Sequence, residues 1–176
     1  ELLTANWLEE LLGYAQRKDV GAVGVKLYYP DNTIQHVGAI IGIGGVGGHI
    51  FKYYPKDKRG YFARDSFVQN LSAVTAACMI SRKEIYDEVG YMDEKFEVAF
   101  NDMDLCLKIR EKGYWIVEDP FVELIHYESK SRGLEDSPEK VKRFNGEVER
   151  FQSKWSEFLK NGDPFFNRNF RLDIED

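Results

Sequence analysis

The chain has 176 residues, 43% of them hydrophobic and 14% aromatic, which suffices for one domain with a single core and not for two. Its 30 acidic residues outnumber 24 basic ones, a formal net charge of -6 with no long basic block, so a nucleic-acid partner is excluded from the expectations. No apolar run is long enough to span a bilayer, and Cys78 and Cys106 sit in apolar runs without metal spacing, as small buried hydrophobes of a reducing cytoplasm would.

Leu8, Leu11, Leu12 and Ala15 recur at helical spacing behind the caps Thr4 and Asn6, which predicts an amphipathic helix ending near Lys18. The chain enters this helix directly from Glu1, without methionine, as a piece of a longer protein would. Residues 21–29 are short, Val-rich and stopped by Pro30-Asp31-Asn32, the pattern of a buried strand. Six glycines lie between positions 38 and 48, with His36 before them and His49 after. They contain no GxGxxG that opens a helix and no GxxxxGK[ST], because Phe51, Tyr53, Tyr54 and Pro55 follow. A bulged strand and loop is expected there instead of a phosphate cradle.

Residues 69–80 form a second continuous apolar segment, closed by the capping box Ser81-Arg82-Lys83-Glu84 of a helix that runs to Val89 and stops at Gly90. A further helix is predicted over 101–112, ended by Gly113, with short strands at 114–117 and 121–126 on either side of Pro120. Ser137-Pro138 then opens a helix carrying Val141, Phe144, Val148, Phe151, Trp155 and Phe158 on one stripe, read as packing without chemistry. Alternating strands and helices place the chain in the α/β class, a mixed sheet flanked by helices with a C-terminal amphipathic helix.

Two stretches carry chemistry. On a helix, Asp102 shares its face with Leu105, Cys106 and Ile109, whereas Asp104 faces Lys108 and Glu111 and is expected on a solvated face. A carboxylate among apolar neighbours at a helix start is either a general base or an ordinary first-turn acid, and periodicity does not choose between them. In the second stretch an apolar strand runs into His126, followed by Ser129, Lys130, Ser131 and Arg132: a metal-competent imidazole beside groups suited to phosphate oxygens. His36 and His49 carry weaker signals of the same kind, and a structural role is the plainer reading for each histidine.

The blocks around Asn70 to Arg82, Val89 to Phe96, Asn101 to Lys108 and His126 to Gly133, in this order and spacing, resemble those of family 2 glycosyltransferases. The stretch from Pro30 to Val37 and the tail around Asp163-Pro164-Phe165-Phe166-Asn167 look like a bacterial subgroup found in large surface-polysaccharide and O-antigen enzymes. The resemblance implies the C-terminal, acceptor-binding half of a GT-A fold over residues 1–176, the nucleotide-binding half with its aspartate pair lying upstream. It implies transfer of a sugar, with inversion, from a nucleotide-sugar donor to a saccharide or lipid-linked saccharide acceptor. Asp102 takes the base role in the Asn101-Asp102 pair, where the family has Glu-Asp. By the same resemblance, Asn70, Thr75, Ala76, Asn101 and Asp104 are expected to line the acceptor side, Lys130 and Arg132 to meet the donor diphosphate, and His126 to contact a divalent metal, Mn2+ or Mg2+. It further implies a cytoplasmic enzyme, at the inner face of the membrane through its parent protein, with no membrane span.

Two other classes compete. One is a non-catalytic carbohydrate-binding or scaffolding module descended from a transferase domain. The other is a metal-dependent hydrolase, for which one well-placed histidine and two aspartates make a thin ligand set.

Overall fold

The computed structural model describes residues 1–127 and 137–173. The elements follow as α1 (Trp7–Ala15), β1 (Val20–Tyr28), β2 (Ile34–His36), β3 (Ala39–Ile41), β4 (Gly47–His49), β5 (Gln69–Leu71), β6 (Met79–Ile80), α2 (Lys83–Val89), α3 (Asn101–Glu111), β7 (Trp115–Ile125), α4 (Pro138–Lys154) and α5 (Ser156–Asn161). β1 and β7 pair in parallel at the centre of a five-stranded sheet; β2 and β6 run antiparallel along the other edge of β1, and β5 along the other edge of β7. β3 and β4 form a separate antiparallel ribbon. The molecule is thus a mixed sheet flanked by helices, the α/β class that the alternation of elements predicts.

β1 is buried at every position, as a central strand covered on both faces must be. Its side chains alternate between two cores: Ala22 joins Leu105, Ile109, Ile116, Phe151 and Trp155 under α3 and α4, while Val23, Val25 and Leu27 join Leu11 and Ala15 of α1. Arg82 ties the α1 side to α2, its guanidinium donating to the carbonyls of Ala15 (2.8 Å) and Lys18 (3.3 Å) at the end of α1.

The apolar segment 69–80 is not one strand. β5 pairs with β7 and β6 with β1, so residues 72–78 must cross over the sheet between them. Gly24 makes the crossing possible: a Cβ there would lie 2.5 Å from the Val74 side chain. Conversely, the two short strands expected around Pro120 are one strand, β7, whose pairing with β1 skips from Asp119 to Glu123. The skip accommodates a residue with no N–H, and Asp119 Oδ1 takes the Phe121 N–H at 3.0 Å. The Ser81 hydroxyl does not cap α2; it donates to the Gly21 carbonyl at 2.5 Å and ties β6 to β1, while Gly90 ends the helix in the left-handed conformation as predicted. The glycine-rich stretch is the β3–β4 ribbon, and a Cβ at Gly47 would lie 2.8 Å from Met103 Sδ, so the ribbon rests on the first turn of α3.

Candidate functional site at the start of α3

α3 begins abruptly after Phe100, and a buried carboxylate from α4 sets its position. Glu147 accepts hydrogen bonds from the backbone N–H groups of Val98 and Ala99, each at 3.0 Å. The stripe read as pure packing therefore also carries a group that orders the approach to Asp102. Asp102 is half-buried in the first turn; its Oδ1 accepts from Met103 N at 2.8 Å and its Oδ2 from Ala76 N at 3.2 Å. One oxygen answers a free first-turn donor of the helix, and the other binds the crossover loop. A carboxylate held on two sides yet not fully enclosed can accept a proton from a bound hydroxyl.

Behind the loop lies a buried network built on His36 and His49, the two histidines whose signals in the sequence are weak, and on Glu118, for which the sequence predicts no role. His36 Nε2 accepts from Thr75 N at 3.2 Å, so in the neutral ring Nδ1 carries the proton and faces His49 Nδ1 at 2.8 Å. Burial pushes the His36 imidazole down to about 4, against the pull of the Asp102 charge. Glu118 Oε2 stands 3.6 Å from His36 Nε2, and among the described residues neither of its two buried oxygens has a hydrogen-bond partner. Burial pushes its carboxyl up to about 8, with Lys26 opposing, so at neutral pH the pair is a neutral acid beside a neutral imidazole rather than an ion pair. Adjacent backbone amides, Thr75 and Ala76, thus join the two halves: one donates to His36 and the other to Asp102. Cys106, buried as expected, adds a third tie from its Sγ to the Val74 carbonyl at 3.6 Å.

These shifts set a pH dependence. His36 lies below its ordinary 6.5, so its contribution to stability is complete above 6.5 and is lost as pH falls toward 4. Glu118 lies above its ordinary 4.5, so its contribution is complete below 4.5 and is lost as pH rises through about 8. The two oppose between 4.5 and 6.5, and from 6.5 to 8 only Glu118 acts. Glu118→Gln is therefore expected to flatten the fall in melting temperature over pH 6.5 to 8, measured by thermal melts of both proteins. Parallel melting curves against pH for the two would remove Glu118 from this account.

Of the residues expected at the site, Thr75 and Ala76 come together with Asp102, and Asn101 is half-buried beside it in the first turn of α3. Asn70 sits exposed in the middle of β5 opposite Val117. Asp104 is a correction: it is not on a solvated face but 0% exposed, with its Oδ1 accepting from Trp155 Nε1 at 2.8 Å and meeting Lys154 Nζ at 2.7 Å. Lys108, its expected partner, is 4.0 Å away, and a carboxylate so enclosed has no surface to offer an acceptor. His126 is exposed at the end of β7, as expected, with Nδ1 2.7 Å from Gln35 Oε1. Among the described residues no hydrogen bond or ion pair joins it to Asp102; the connection runs through β2, where Gln35 neighbours His36. Also among the described residues, no three His, Cys, Asp or Glu side chains converge as a metal set. Lys130 and Arg132 lie outside the described residues.

The chain is 49% identical over 177 residues to the uncharacterized protein y4gI of Sinorhizobium fredii and 35% identical over 177 residues to the O-antigen biosynthesis protein RfbC of Myxococcus xanthus. Both matches cover 100% of this chain but only 19% and 14% of the relatives, so the chain spans less than a fifth of their length. No family model and no solved structure matches it.

Proposed function

We propose that this chain is the acceptor-binding and base-supplying part of an inverting glycosyltransferase of the GT-A type, working in cell-surface polysaccharide synthesis. The observation that carries the chemistry is the Asp102 carboxylate, held between the first turn of α3 and the 72–78 loop and left partly open. The relative named for O-antigen biosynthesis, matched along the whole chain, supports the pathway. In this reading an acceptor hydroxyl lies against the Thr75–Ala76 turn and gives its proton to Asp102. Its oxygen bonds to the anomeric carbon of the nucleotide-sugar as the bond to the nucleoside diphosphate breaks on the opposite face, which inverts the configuration. His36, through Thr75, keeps the acceptor wall and the base in fixed relation. Lys130 and Arg132 are assigned to the diphosphate and Asn70 and Asn101 to the acceptor side.

The described residues by themselves do not fit a divalent metal, since His126 is a single ligand and no set of three converges. A metal bound there takes its other ligands from outside the described residues, and no step above depends on it. The proposed setting is the cytoplasm, at the inner membrane face. A second reading, a non-catalytic saccharide-binding module, is favoured by Asn101 standing where the resembled family has glutamate.

Incubation of the longer protein with a panel of nucleotide-sugars and oligosaccharide acceptors tests the proposal. Acceptor-dependent release of nucleoside diphosphate is expected, with an inverted anomeric proton coupling in the product, whereas the 176-residue chain alone releases none. Saccharide binding without turnover by the longer protein selects the second reading, and a retained configuration refutes the single displacement.

A further inference from the structure

The 50–68 loop differs in character from the rest of the molecule. It holds five of the chain's 24 basic residues (Lys52, Lys56, Lys58, Arg59 and Arg64) and two of its 30 acidic ones, so it is cationic on a chain of net charge -6. Lys56, Lys58 and Arg59 are exposed, and with them Tyr53 (64%), Tyr61 (56%) and Phe62 (80%) stand in water.

This exposure is built in. Lys26, on the central strand, donates to the Asp65 carbonyl at 2.8 Å and to its carboxylate at 3.2 Å, a pair whose side chains are 7% and 2% exposed. Asp65 Oδ1 in turn accepts from Gly60 N at 2.8 Å, and Arg64 is tied to Gln69 and to the Phe165 carbonyl. Between these anchors Phe62 and Ala63 hold left-handed backbone, φ 51 and 56, which costs free energy in residues with a Cβ. A buried ion pair and a strained turn thus keep a phenyl ring pointed outward, where hydrophobic burial alone would turn it in.

We propose that this loop docks the protein onto an anionic lipid bilayer, with Tyr61 and Phe62 seated at headgroup depth while Lys58 and Arg59 meet the anionic headgroups; Lys56 is held by Glu123 at 3.1 Å. Apolar rings beside cations on an exposed loop match the two attractions such a surface offers, interfacial burial and surface potential. A sugar chain is the poorer fit. Tyr61 meets Phe62 at 73° and Phe170 at 90°, edge to face, so these rings make no flat platform for a pyranose, and Phe62 has no polar atom to bond one.

The test is co-sedimentation of the 176-residue chain with vesicles of phosphatidylcholine alone and of phosphatidylcholine mixed equally with phosphatidylglycerol. Binding to the mixed vesicles only, weakened by salt, is the expected result. Phe62→Ala and the double variant Lys58→Glu/Arg59→Glu should each lose roughly tenfold or more in partitioning. Their melting temperatures should match the parent chain, because the altered side chains are exposed. Equal binding to both vesicle types, binding to neither, or unchanged partitioning of both variants overturns the proposal. Capture of the chain by soluble dextran sulfate, with the same variant dependence and no vesicle binding, reassigns the loop to a polyanion and overturns it too. The measurement reads no turnover, so it stands or falls apart from the transferase reaction.

Discussion

Under the proposed reaction, Asp102→Asn in a protein that joins this chain to a nucleotide-binding half is expected to lose about 10²- to 10⁴-fold in turnover while donor affinity and fold are kept. The amide is nearly isosteric with the carboxylate, so its oxygen still accepts one of the two N–H groups now shared between Met103 and Ala76. The NH2 group faces the other donor, which costs a hydrogen bond of about 1 kcal/mol, far too little to unfold a domain. What the amide cannot do is take a proton from the attacking hydroxyl. The effect should therefore fall on kcat at saturating acceptor, with calorimetric donor binding unchanged. Turnover equal to the parent would eliminate Asp102 as base; loss of donor binding along with turnover would show that the substitution acts through structure.

Asp104→Ala is expected to act in the opposite way, on stability first. Removing this buried carboxylate leaves the Trp155 indole N–H and the Lys154 ammonium, 2.8 and 2.7 Å from it, without their partner at the junction of α3 with α4 and α5. Breaking one side of a buried ionic contact costs about 3–5 kcal/mol, because the remaining charge and donor stay desolvated. Lys154 is one-third exposed and also reaches Asp93 at 3.1 Å, so part of its charge is re-solvated and the lower end of that range applies. Urea unfolding should show a lower midpoint with an unchanged slope. A change within about 0.5 kcal/mol, the scale of exposed ion pairs, would mean that the contact is a surface feature after all.

Asp102 and Asp104 show how far local pattern carries. Two positions apart, they are inequivalent by helical periodicity, yet Asp104, which the same periodicity predicts on a solvated face, is 0% exposed. Periodicity ranks the faces of one helix by apolar content; it says nothing of a second helix arriving from 51 positions downstream with an indole N–H to satisfy. The same limit hid the His36–Glu118 contact. A histidine beside six glycines and a glutamate inside a Val-rich strand each read as local detail, and only strand pairing sets them 3.6 Å apart. A signal did exist: an acidic pair, Glu118-Asp119, directly behind the apolar run Trp115-Ile116-Val117 and buried like Ile116 and Val117, is costly unless burial serves a purpose.

The amino-acid sequence by itself determined the α/β class, the helix that starts at Asn101, the stops at Gly90 and Gly113, the Ser137 cap that accepts Lys140 N at 3.3 Å, and the buried course of β1. Each of these depends on backbone propensity, capping or side-chain period within a few residues. Tertiary structure alone decided that 69–80 divides into β5, a crossing loop and β6, that the loop's two amides divide between His36 and Asp102, and that Glu147 holds the approach to α3. Those outcomes rest on which strands pair and which carbonyls and amides are left over, and unpaired backbone groups find their partners only when distant segments meet.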